Sequence, residues 1–165
     1  MGEGELESYL KRLINKLNLQ DNILMLGHSK NVYKYLKSSD LYVFPSIFEG
    51  FPNALAEAIC MGLPCIATDF KTGAREIIAP TLLGKKEKIV EAKECEYGML
   101  TPLCSDKEYS YDVPLEHAEK ELAKAIIQVL TDDELAQRLA EKSVRCSQNL
   151  DIEAAISKWI AVIEE

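Results

Sequence analysis

One stretch of this 165-residue chain constrains the fold more than any other. It reads Phe44-Pro45-Ser46-Ile47-Phe48-Glu49-Gly50-Phe51-Pro52-Asn53-Ala54-Leu55-Ala56-Glu57-Ala58-Ile59-Cys60-Met61-Gly62-Leu63-Pro64. An apolar run closes at Phe44, where Pro45 and Ser46 stop it. Gly50 and Pro52 make a turn, and Pro52 suits the first turn of a helix, where a missing N–H costs nothing. Ala54 to Met61 are mostly good helix formers, and Gly62 followed by Pro64 marks a helix exit. The pattern predicts the end of a strand, a loop, a short helix and the start of the next strand. Glu49 then falls in the loop, and Glu57 just over one turn into the helix.

That placement has chemical content. Free N–H groups at a helix N-terminus favour an anion, phosphate above all. Carboxylates beside such a site repel phosphate unless they are turned to accept hydrogen bonds from hydroxyls. A sugar nucleotide offers both features: phosphates for the helix end and hydroxyls for the two acids. A plainer reading stands beside this one. Acids are favoured near helix N-termini in any case, so Glu57 can be a solvated helix residue and Glu49 a loop charge.

The remaining composition narrows the partners. At 47% hydrophobic and 28% charged residues, the chain reads as one soluble globular domain with enough length for a core. A net charge of −8 argues against a nucleic-acid partner, which needs a basic face. The acidic start, Met1-Gly2-Glu3-Gly4-Glu5, is unlike a secretory signal, and no apolar run is long enough to span a bilayer. Cys60, Cys65, Cys95, Cys104 and Cys146 form no CxxC pair and read as reduced thiols of a cytoplasmic protein. Cys60 and Cys65 are expected to pack rather than react. With His28 and His117 the only histidines, the chain is read without a metal site.

Along the chain, Leu6, Leu10, Leu13, Ile14 and Leu17 recur at helical spacing over residues 5–17, with Asn18 as the stop. Ile23-Leu24-Met25-Leu26 reads as a buried strand ended by Gly27. Asn31 caps a brief helix, Leu41 to Phe44 form the next strand, and Cys65-Ile66-Ala67 the one after the glutamate helix. Gly73 to Ile78 reads as a short helix. Residues 80–96 mix lysine and glutamate without a hydrophobic face and are expected to be a solvated insertion. Tyr97 to Thr101 make a fourth strand. Three helices close the chain: residues 115–130, a second capped by Thr131 with Glu134, and a third capped by Asp151. The third carries Ile152, Ile156, Trp159 and Ile163 as an apolar stripe, with Trp159 expected in the core or an interface. Continuously apolar strands alternating with helices imply an α/β fold, a parallel sheet covered on both faces. Ligands of such sheets sit beyond the carboxyl ends of the strands. His28, the residues from Pro45 to Asn53, those from Thr68 to Gly73, and Thr101 all fall at those ends.

The motif Pro45-Ser46-x-x-Glu49-Gly50-Phe51-Pro52-Asn53, followed by Glu57-Ala58-x-x-x-Gly62-x-Pro64-x-Ile66-Ala67-Thr68-Asp69, resembles the retaining glycosyltransferases of family GT4. Leu26-Gly27, Ser39-Asp40-Leu41-Tyr42-Val43, Gly73-Ala74-Arg75-Glu76-Ile77-Ile78 and Tyr97-Gly98-Met99-Leu100 extend the resemblance in the family's order over most of the chain. It implies an incomplete Rossmann-like, doubly wound parallel sheet, the C-terminal domain of the GT-B architecture, with a C-terminal helical segment. Glu57 resembles the residue that holds the ribose hydroxyls, and Glu49 the one that contacts the donor sugar. Gly50, Phe51 and Asn53 are expected to present backbone N–H groups to the sugar and distal phosphate, which Pro52 cannot do. Relatives often carry glycine at or near Pro52. His28 follows the strand end that borders the nucleobase. Arg75 and Glu76 are candidates for the cleft, with a cap or salt bridge the other role for Glu76.

The resemblance also implies what the chain lacks. Met1 to Leu6 resemble the glycine loop after the second strand of the donor domain. The whole of residues 1–165 is therefore expected to be one partial donor domain, without the first two βα units, their phosphate-clamping arginine and lysine, and the acceptor domain. The expected function is the nucleotide-sugar-binding portion of a hexosyltransferase of polysaccharide or glycolipid assembly. It uses a nucleotide-diphosphate sugar, expected to be a UDP-sugar, with retention and without a cofactor, and is inactive alone. A separate chain would supply the acceptor domain. The alternative is a non-catalytic nucleotide-sugar-binding or interaction module. The strand at residues 23–26 loses its neighbours in the order 3-2-1-4-5-6. It must then pair elsewhere, be completed by another chain, or pack poorly, and its exposed edge favours a homo-oligomer. Relatives are often peripheral to the inner face of the membrane.

Overall fold

Every residue of Cys65–Thr68 is buried, and a strand with no exposed position must be covered on both faces. It is an inner strand of a four-stranded sheet. The computed structural model describes residues 2–150, 156 and 159–163. The elements run α1 (Glu7–Lys16), α2 (Tyr33–Leu36), β1 (Tyr42–Phe44), α3 (Asn53–Cys60), β2 (Cys65–Thr68) and α4 (Ala74–Ile78). A 3-10 turn (Pro80–Leu82), β3 (Lys93–Glu94), β4 (Met99–Thr101), α5 (His117–Thr131) and α6 (Asp133–Ser147) follow. The sheet order is β1-β2-β4-β3. β1, β2 and β4 are parallel, with Val43 beside Ile66 and Ala67 beside Leu100, and β3 joins β4 antiparallel.

Strand side chains alternate between faces, and two apolar clusters follow that alternation. Cys65, Ala67 and Leu100 meet Leu55 and Ile59 of α3 and Ile77 and Ile78 of α4. Ile66 and Met99 meet Ala125 and Val129 of α5 and Leu135 and Leu139 of α6. Helices thus cover both faces, as expected of a doubly wound α/β sheet. Burial of each large aliphatic side chain stabilises by roughly 1.5–3 kcal/mol. α6 reaches the α3 side as well, where Ser143 Oγ donates to the carbonyl of Leu63 at 2.6 Å and Cys146 is buried.

Several expectations are corrected. Residues 23–26 form no strand: Ile23 is 44% and Leu24 79% exposed. An apolar run becomes a strand only beside a ladder partner, and β1 is the outermost strand on its side of the sheet. α1 forms and ends at Asn18 (φ 54), yet none of its residues is buried. The sheet is not wholly parallel, because β3 folds back onto β4. Residues 80–96 are not simply solvated, since Leu82 and Ile89 belong to the core.

The cap between the last two long helices is Asp132, whose carboxylate accepts from the Leu135 N–H at 2.9 Å. Thr131 ends α5 instead, its hydroxyl bound to the Ile127 carbonyl. The capping box sits at the start of α5, between Glu116 and Glu119. Cys65 packs as expected, whereas Cys60 is exposed. Asp151 and Ile152 lie outside the described residues. Residues 156 and 159–163 are helical, and Trp159, 70% exposed, is not in the core.

Candidate functional site

The loop after β1 is laced to the loop after β2. Thr68 Oγ1 donates to the Ser46 carbonyl at 2.5 Å. The Glu49 N–H donates to the Lys71 carbonyl, and the Thr72 N–H returns to the Glu49 carbonyl, both at 3.0 Å. Thr72 Oγ1 adds a bond to the Gly50 carbonyl at 2.9 Å. Gly73 (φ 102) lies against Pro52 so closely that a Cβ would overlap the ring Cδ. Pro52 is itself fully buried at the start of α3. The first turn of α3 is therefore held from below by a contact only glycine permits.

On this frame the Glu49 carboxylate accepts from Ser46 Oγ at 2.8 Å and is half-buried. Glu57 is half-buried on α3. Tyr42, which the sequence did not single out, lies within electrostatic reach of both acids. Its hydroxyl is pushed up to about 12, first by burial and then by the charges of Cys65, Glu57 and Glu49. Burial, then Glu57, also raises the Cys60 thiol. Tyr42 stacks on Phe44 at 6.0 Å between centroids, and Phe44 meets Phe70 edge-on at 5.6 Å.

The remaining expected site residues divide. Among the described residues the N–H groups of Gly50 and Phe51 have no acceptor, while that of Asn53 donates to the Phe51 carbonyl at 2.9 Å. Phe51 and Phe48 are exposed around Glu49. His28 is exposed on the segment that joins no ladder, and among the described residues no hydrogen bond ties it to Glu49 or Glu57. Arg75 is not a free cleft cation. Its guanidinium grips Asp69 through Nε and Nη2, each at 2.7 Å, and donates to the carbonyls of Leu82, Lys85 and Glu87. The hydrogen bonds it donates to Asp69 raise its pKa above the ordinary value. Arg75 thus ties residues 82–87 to the carboxyl end of β2. Glu76 is exposed. At the end of β4, Thr101 is buried with its Oγ1 unpartnered.

A cleft of about 360 Å³ opens between residues 69–73 and 83–88, and another of about 480 Å³ lies near Phe51, Glu76 and Tyr97. Neither Glu49 nor Glu57 lines either cleft. Among the described residues, no group of three metal-ligating side chains converges, and no helix is long and apolar enough to cross a membrane.

Three parallel strands with helices on both faces, and laced loops at the carboxyl ends of β1 and β2, define a Rossmann-like α/β domain. The same fold is found in the pneumococcal O-GlcNAc transferase GtfA in complex with UDP and GlcNAc. That match has a TM-score of 0.72 at 24% identity, over 98% of this chain and 28% of that one. Anabaena HepE in complex with UDP and glucose matches with a TM-score of 0.68 at 20% identity, over 99% of this chain and 39% of that one. The family described as glycosyl transferases group 1 matches residues 1–93. An uncharacterized glycosyltransferase of Methanocaldococcus jannaschii is 42% identical over 167 residues, covering 99% of this chain and 41% of that protein. The N-acetylgalactosamine-N,N'-diacetylbacillosaminyl-diphospho-undecaprenol 4-alpha-N-acetylgalactosaminyltransferase of Campylobacter jejuni is 36% identical over 107 residues, 65% of this chain and 29% of that protein. The chain belongs to the glycosyl transferases group 1 family, and it spans less than half the length of these curated relatives.

Proposed function

We propose that the chain is the donor-binding portion of a hexosyltransferase that draws on a nucleotide-diphosphate sugar, taken to be a UDP-sugar. The observation that carries this reading is the pinned unit from Ser46 to Glu57, which sets two carboxylates around the start of α3. In this reading Glu57 accepts hydrogen bonds from the ribose hydroxyls, and Glu49, oriented by Ser46, accepts from the donor sugar. The N–H groups of Gly50 and Phe51 point the loop's positive ends at the distal phosphate. Asn53 joins them only if its N–H leaves the Phe51 carbonyl, and His28 reads the base only if residues 23–28 are brought alongside.

The acceptor is a polysaccharide or glycolipid precursor, and transfer proceeds with retention and without a metal or cofactor. Stabilising the departing diphosphate is the chief catalytic demand in such chemistry. Arg75, the cation on the adjoining helix, is committed to Asp69 and three carbonyls. A phosphate clamp and an acceptor domain are therefore proposed to come from residues beyond 1–165 or from a separate chain, and the chain alone transfers sugar poorly or not at all. The unpaired edge of β1 is where such a partner, or a second copy, would add. Work at the cytoplasmic face of a membrane fits this reading. A second reading, a nucleotide-sugar-binding module without transfer, is favoured by the engagement of Arg75 with Asp69 and three carbonyls.

Calorimetric titration with UDP, GDP and their sugar conjugates tests the proposal. Binding of one nucleotide by the native chain, weakened at least tenfold in Glu57→Ala, is the expected result. Equal binding by the native and Glu57→Ala chains would overturn the assignment of the site. Transfer to a lipid-linked acceptor after adding an acceptor domain in trans separates the enzyme from the module.

A further inference from the structure

The cleft between residues 69–73 and 83–88 adjoins the loop that carries Glu49, but neither Glu49 nor Glu57 lines it, and its charges do not cancel. Asp69 is neutralised by Arg75, and Glu87 by Lys93 at 2.9 Å. Among the described residues the ammonium groups of Lys71, Lys85, Lys86 and Lys88 form no ion pair. Glu76 is the one other acid on the lining. Four free cations against one free acid make a positive concavity in a chain of net charge −8.

The concavity is also built rather than draped. Arg75 holds the carbonyls of Leu82, Lys85 and Glu87, so the segment carrying three of the lysines is fixed to the end of β2. Ammonium groups on flexible stems serve phosphate as point charges. A volume of about 360 Å³ exceeds a single small ion and accommodates a phosphate-bearing group with its hydration.

We propose that this cleft is a second, separate anion site that binds a phosphate monoester or diphosphate group through Lys71, Lys85, Lys86 and Lys88. Its occupant is distinct from the nucleotide assigned to Glu57, so the two proposals stand or fall independently. The phosphate can be carried by a soluble ligand or by a lipid headgroup, and the test separates these sources.

Inorganic pyrophosphate is titrated calorimetrically into the full chain, the Glu57→Ala chain, and a chain with Lys71→Gln, Lys86→Gln and Lys88→Gln. In parallel, each is sedimented with vesicles of phosphatidylglycerol or of phosphatidylcholine. The expected result is pyrophosphate binding that survives Glu57→Ala and weakens at least tenfold in the triple variant. Binding to phosphatidylglycerol vesicles alone, lost in the triple variant, supports the same site with a headgroup as its source. All three side chains belong to exposed residues; should the triple variant misfold by circular dichroism, Lys86→Gln with Lys88→Gln replaces it, with a threefold or greater weakening expected. Absence of binding to either probe, or binding that the lysine changes leave intact, overturns the proposal.

Discussion

Leu24 and Leu100 both sit in short apolar runs of strand-like sequence, yet Leu100 is fully buried and Leu24 is 79% exposed. The difference is not in the residues. β4 lies between β2 and β3, so Leu100 has a ladder on each side and the α3–α4 cluster over it. Residues 23–26 join no ladder, and only Met25 and Leu26 are even partly covered. Hydrophobicity proposes a strand; backbone partners decide it. α1 repeats the lesson for helices: Leu10, and Leu6 and Leu17 at its ends, are each more than 40% exposed, and Leu13 and Ile14 reach only half-burial.

The contrast can be broken most forcefully in the core. Leu100→Ala is expected to destabilise by about 3–4 kcal/mol through lost burial and a residual cavity, whereas Leu24→Ala should stay within about 0.5 kcal/mol. Denaturant midpoints read both, and a comparable loss from Leu24→Ala would mean that residues 23–26 are packed in solution. Next comes Gly73→Ala. The Cβ must displace Pro52, and residue 73 holds a φ of 102 that alanine resists, at a cost of about 2–3 kcal/mol. Nucleotide affinity should fall with it, since the start of α3 would move.

Arg75→Ala removes the partner of a mostly buried Asp69 and should destabilise by about 2 kcal/mol, below the range for fully buried pairs. The sharper readout is amide exchange, where residues 82–87 should lose protection while β2 and β4 keep theirs. The smallest effect concerns pH. Glu94 is held down at about 2, chiefly by the Arg138 hydrogen bond and further by Lys142, against the opposing effect of burial. A carboxylate whose folded pKa is depressed contributes stability above its unfolded value, near 4.5, and loses it as pH falls towards about 2. Glu94→Gln should therefore lower the denaturant midpoint at pH 7 and leave it unchanged near pH 2.

The unit from β1 through α3 to β2 was legible almost to the residue, because its signals are local: Pro45 and Ser46 stop a strand, Pro52 starts a helix, and Gly62 (φ 76) ends it. The strand expected at residues 23–26 was misread because its partners lie elsewhere. The antiparallel turn-back of β3 was missed because a two-residue strand of Lys93 and Glu94 carries no apolar period. Thr131 looked like a cap because hydroxyls often are, but Asp132 is the residue with extended backbone between the two helices. Of the candidate site, the positions of Glu49 and Glu57 followed from the motif. The tie from Arg75 to three carbonyls did not, since carbonyl partners leave no trace in side-chain sequence.

The central claim is that Glu49, Glu57 and the loop between them form the nucleotide-sugar side of a transferase. Amide chemical-shift mapping of the labelled chain during a UDP titration tests it most directly. Saturable shifts are expected at Gly50, Phe51, Asn53 and Glu57, with α1 silent and at least tenfold more UDP needed to produce them in Glu57→Ala. Shifts confined to Lys71 and residues 84–88, or none up to millimolar UDP, would contradict it.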